Sequence, residues 1–149
     1  MRVRDLHRDE GGAAMVEFAV FFPVFILLLV GLIEIGRFAN FSIVVADAAR
    51  AGVQYGAQNV ITAADNAGMT SMALADGQNI SGLTVTSATH YCQCSDGSAS
   101  TCLSSDCSLS HRILWVKVTT QGQFPALLGF PGLPGTFTVQ QTAVRRVAE

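Results

Sequence analysis

The sequence predicts an α+β protein with one long N-terminal helix, a short second helix and a small antiparallel sheet of about three strands. Three observations carry this. An apolar run from Gly12 to about Ile33 is continued by apolar residues at helical spacing as far as Ala57. Three later segments switch to a period of two. Between them lies one polar stretch that holds all four cysteines.

The helix comes first. From Phe18 to Ile33 there is no charged residue, and roughly 20 apolar residues at ~1.5 Å rise each cross a ~30 Å hydrocarbon core. Glu17 is the anomaly, an acid just inside that run. A carboxylate near a bilayer centre costs about 2.5–3.5 kcal/mol, and less towards the edge, so such a residue calls for a partner. Pro23 removes one backbone hydrogen bond and is a candidate kink. Beyond the run, Glu34 and Arg37 are spaced to pair on the helix surface. Phe38, Phe41, Val44 or Val45, Ala48 and Gly52 mark one helical face. The stretch AARAGVQYGAQN (48–59) is rich in small residues that let another element approach closely. The expectation is one helix from about Ala13 to about Ala57.

Thr62–Ala75 reads as the second helix, with Thr62 as N-cap, Asp76-Gly77 as its stop, and Met69, Met72 and Ala73 as its buried face. Alternation then predicts three strands: Leu83, Val85 and Ser87 against Thr84, Thr86 and Ala88; Leu114, Val116 and Val118 against Trp115, Lys117 and Thr119; Phe137, Val139 and Ala143 against Thr138, Gln140 and Thr142. FPALLGFPGLPG (124–135) is too rich in Pro and Gly for a regular strand. Ala126–Leu128 is its one candidate helical turn, and its apolar residues Phe124, Leu127, Leu128, Phe130 and Leu133 serve either as cover for the sheet or as a subunit contact.

Charge and cysteine usage restrict the functional classes. The net charge is −2, and the nine Lys and Arg residues are scattered, so no nucleic-acid footprint is present. Cys92, Cys94, Cys102 and Cys107 have the spacing C-x-C-x7-C-x4-C. Downstream of a membrane segment, that reads as disulfides in an oxidising compartment; the alternative is a zinc site drawing on His90 or His111, for which only one of the two cysteine pairs has suitable spacing. Four cysteines allow three connectivities, and a Cys92–Cys94 ring would be strained, so each of these two is expected to pair with Cys102 or Cys107. Neither a nucleophile elbow nor a phosphate-cradling glycine motif occurs. The sequence therefore assigns no catalytic residues, cofactor or metal. Arg2, Arg4 and Arg8 ahead of the apolar run, against Arg37 after it, place the N-terminus in the cytoplasm and the rest outside.

GG-AAMVEF, the apolar run with Pro23, IEIGRF and AARAGVQYGA together resemble the TadE-like family, minor pilins or pseudopilins of the tight-adherence (Tad) branch of type IV pili. The resemblance is close from Gly11 to Ala57 and looser towards TAVRRVAE; the cysteine loop has no matching position. It implies a pilin-like fold and cleavage by a prepilin peptidase after Gly12, leaving Ala13 first, Glu17 fifth and Phe18 sixth; Gly11 is an alternative cut that makes Glu17 sixth. The new amine at Ala13 and the Glu17 carboxylate lie i,i+4 on one helix face. The family picture has that acid pair with the amine of a neighbouring subunit, which sets register rather than adding stability.

The implied organisation is a cleaved cytoplasmic leader 1–12, a transmembrane segment 13–36 and an extracytoplasmic domain 37–149 with a cysteine-rich loop 90–111. The implied setting is the bacterial inner membrane, or the pilus itself, with other pilins, the platform protein and assembly ATPase, and membrane lipid as partners. Adhesion and biofilm formation are the implied uses. The alternative is an uncleaved, signal-anchored periplasmic protein whose disulfide-stapled loop is a recognition surface.

Overall fold

The computed structural model describes residues 10–108, 110–127, 132 and 134–148. Helix α1 spans Glu10–Gly56, 47 residues, and runs through Pro23. By contacts the chain divides into two units, Met1–Arg37 and Phe38–Glu149.

In the first unit α1 is apolar on every side. Side chains from Ala14 to Leu29 are all exposed, among them Met15 at 78%, Phe21 at 71% and Leu28 at 69%. A helix with no polar face and no protein cover requires lipid or other helices around it. By length and composition it is able to cross a membrane.

In the second unit the rest of α1 packs on a sheet. Val45, Ala48, Ala49, Gly52 and Val53 are buried, which selects Val45 over Val44 for the packed face. The small residues act as anticipated: a Cβ on Gly52 would stand 2.9 Å from the Met69 carbonyl oxygen and 3.1 Å from Val118.

The expected second helix is two helices, α2 (Val60–Ala64) and α3 (Asn66–Asp76). Each has its own cap. The Asn59 side chain accepts from the N–H groups of Ile61 and Thr62 while Thr62 accepts from the Asn59 N–H, a reciprocal capping box. The Asp65 carboxylate takes the Gly68 N–H at 2.8 Å and the Tyr55 hydroxyl at 2.8 Å. Thr62 is thus the third residue of α2 rather than a cap, and Asp65 ends one helix by starting the next. Met69 and Ala73 are fully buried, but Met72, on the flank of the same helix, is 45% exposed.

The sheet is antiparallel throughout, in the order β2-β1-β3-β4. Strands β1 (Thr84–Cys94), β3 (Arg112–Pro125) and β4 (Thr136–Arg146) are the three expected, each longer than its alternating core; β2 (Ala99–Ser100) is an added two-residue edge. A bulge between Val85 and Ser87 shifts the register of β1. Val85 and Ala88 therefore both pack towards the core, whereas unbroken alternation would put them on opposite faces. On β3, Val116, Val118 and Thr120 are fully buried, and the Thr120 hydroxyl donates to the Val45 carbonyl at 2.7 Å. The core joins Val53 of α1 and Ala57 just after it with Ala63, Met69, Ala73, Val116, Val118 and Val147.

Phe124, assigned from sequence to the proline-glycine loop, belongs to β3. It is 4% exposed, and its ring meets Phe38 and Phe41 edge-on at 5.4 Å each. Leu127 is exposed. Leu128, Phe130 and Leu133, with the end of the expected Ala126–Leu128 turn, lie outside the described residues.

Candidate processing and assembly site

Gly12, Ala13, Glu17 and Phe18 all fall in the first turns of α1. A Cβ on Gly12 would meet nothing within 4 Å, and the helix disfavours Gly by roughly 1 kcal/mol relative to Ala. Among the described residues nothing asks for glycine at this position. Glu17 is exposed, one turn from Ala13 and beside a ring pair, Phe18 and Phe22, with centroids 5.3 Å apart. The arrangement puts an acid and an aromatic patch one turn beyond a glycine. An amine created at Ala13 would be drawn to that acid. Further along, Arg37 Nη1 donates to Glu34 at 2.8 Å; this pair lies at the end of the apolar segment and is one turn long.

The cysteine loop forms a second candidate surface. Cys92 is bonded to Cys102, with Cα atoms 5.1 Å apart, and Cys94 to Cys107, at 5.6 Å. Cys92 and Cys94 lie two apart on β1, so their side chains share the sheet's core face and both are buried. All four sulfurs are engaged in these bridges, which occupies the thiolates a zinc site would use. Within the loop, the Asp106 carboxylate accepts from the Thr101 N–H and hydroxyl, both 2.7 Å, and from Ser100. The Thr101 hydroxyl, then its N–H, hold Asp106 below the usual carboxylate range; the Ser98 hydroxyl and N–H do the same for Asp96.

His90 and His111 are both exposed. His90 and Arg112 line a cavity of about 300 Å³ with Val60, Ala63, Leu114 and the Cys92–Cys102 bridge. No sequence signal marks that cavity, because its walls come from α2, β1, β3 and the disulfide loop, which meet only in the fold.

Fold and N-terminal segment together define a class: a small α+β domain preceded by a helix of membrane-anchor character. Within that class, residues 12–54 match the family model described as TadE-like protein. The resemblance read from the residues is borne out over α1, while the sheet and the cysteine loop lie beyond the matched stretch. No curated protein and no solved structure matches the chain.

Proposed function

We propose that the chain is a minor pilin or pseudopilin of a Tad-type pilus, cut by a prepilin peptidase between Gly12 and Ala13 and taking part in initiation or assembly of the fibre. The observation that carries this reading is the TadE-like match over 12–54, which covers both the cut and the helix that would polymerise. Gly12, which no packing requires, is explained as the residue the peptidase recognises. Glu17, costly in lipid, is explained as the partner of a neighbouring subunit's new amine. The bare apolar surface of α1 up to Leu29 is stored in the inner membrane with the N-terminus inside, then buried against other pilins. The role is structural rather than catalytic, and it serves adhesion and biofilm formation.

The intact mass of the protein from native membranes tests the reading. A chain beginning at Ala13, with or without an N-methyl group, is expected; one beginning at Gly12 would move the cut to follow Gly11. A mass that retains residues 1–12 overturns the pilin reading. It would favour the second reading, an uncleaved signal-anchored protein, which the cavity beside the Cys92–Cys102 bridge supports. The Glu17→Ala variant separates anchoring from assembly: it is expected to remain in the membrane fraction and to be lost from sheared fibres.

A further inference from the structure

The two edges of the sheet are built differently. On the β1 side, the outer edge carries the bulge after Val85 and ends beneath β2 and the disulfide-closed loop. Bulges and covering loops are standard protection against strand pairing. Among the described residues the β4 side has neither. From Thr136 to Val144 it contains no charge and no proline, and its register with β3 runs without a shift from Thr136 to Arg146.

The hydrogen bonds show which groups this edge presents. The Val147 N–H donates to the Leu114 carbonyl at 2.9 Å, and the Ala126 N–H to the Gly135 carbonyl at 3.0 Å. Both pairs lie on the β3–β4 register, and hydrogen-bonded pairs alternate with non-bonded ones along an antiparallel ladder. Counting in twos, Phe137, Val139, Gln141, Ala143 and Arg145 bond to β3. Thr138, Gln140, Thr142, Val144 and Arg146 therefore turn their N–H and carbonyl groups outward, over roughly 27 Å of strand.

We propose that this edge pairs antiparallel with β4 of a second copy of the chain. A register centred on Thr142 uses every outward group from Thr138 to Arg146, about ten hydrogen bonds in all. It places Thr142 opposite the second copy's Thr142, a favourable cross-strand pair, and Gln140 opposite its uncharged Val144. Charge fixes the direction. Parallel pairing would set Arg145 and Arg146 against the same two residues; antiparallel pairing sets them beside Val139 and Thr138. The core-side residues of the incoming strand, Val139, Gln141 and Ala143, fall over the groove of about 370 Å³ that β4 forms with Ala46, Arg50, Val53 and Gln54 of α1. The inference does not rest on the pilus reading.

Cysteine cross-linking of the full chain in native membranes tests it. Thr142→Cys is expected to give a disulfide homodimer at least tenfold faster than the exposed Gln78→Cys control. Adding Val144→Pro removes one outward donor and leaves the β3 ladder intact; it is expected to lower the Thr142→Cys yield at least tenfold. Thr142→Lys and Thr142→Glu tagged copies should each fail to co-purify with themselves and should recover co-purification when co-expressed. Cross-linking no faster than the control, a yield unchanged by Val144→Pro, no recovery in the charge-swapped mixture, or a cross-linked product with a different protein would each overturn self-pairing.

Discussion

At the scale of single residues, the informative positions are those whose identity the fold either demands or ignores. Gly12 is ignored by the packing of the described residues. Gly52 is demanded, because a side chain there collides with the Met69 backbone. Gly52→Val is expected to lower stability by about 1–3 kcal/mol, read as an earlier thermal unfolding transition in detergent. Asp106 sets a pH dependence. Thr101 lowers its folded-state pKa, so the stabilisation is complete above the ordinary carboxylate range and is lost as pH falls through the lowered folded value. Amide exchange in Thr101 and its neighbours is expected to accelerate only in strong acid, and Asp106→Asn should show fast exchange at neutral pH as well. The Cys92 and Cys94 partners also belong to this scale. Spacing left two pairings for each, and their shared position on one face of β1 goes with the bridges Cys92–Cys102 and Cys94–Cys107.

At the scale of elements, the departures from the sequence reading have local causes. The helix expected at Thr62–Ala75 is split because two side chains, Asn59 and Asp65, each satisfy the first N–H groups of a new helix. The strands run past their alternating cores, since backbone pairing continues where the side-chain pattern stops, and a single extra residue at Thr86 reverses the faces of β1. Replacing Asn59 with Ala is expected to cost about 1 kcal/mol, measured by denaturant unfolding. The cysteine loop has little core of its own. Closing a loop of its size contributes about 3 kcal/mol in the chain-entropy model, and the double variant Cys94→Ser, Cys107→Ser is expected to become protease-sensitive between Ser95 and His111 while the β3–β4 pairing survives.

At the scale of the molecule, the chain divides into two units, and only the first has an apolar helix surface long enough to cross a membrane. Among the described residues, the buried core lies within unit Phe38–Glu149. A fragment beginning at Phe38 retains the residues that pack on the sheet, from Phe38 and Phe41 to Val53. It is expected to fold with both disulfides formed and a mixed helix–strand circular dichroism spectrum, and to stay soluble where the full chain needs detergent. Aggregation of that fragment with free thiols would show that the anchor segment is required for folding.

Through local patterns, an uncharged run and an acid at a fixed distance from a glycine, the sequence made the long helix, its apolar character and the TadE-like resemblance legible. It also determined the three principal strands, through alternation, and an even cysteine set. The break at Asp65 is a local cap that the helical spacing did not reveal, whereas the pairing of the cysteines, the bulge in β1, the place of Phe124 in β3 and the exposed edge of β4 come from the fold. Each of the latter depends on which residues far apart in the chain meet across the β1–β3–β4 sheet and the second half of α1, and no single stretch of sequence encodes that contact.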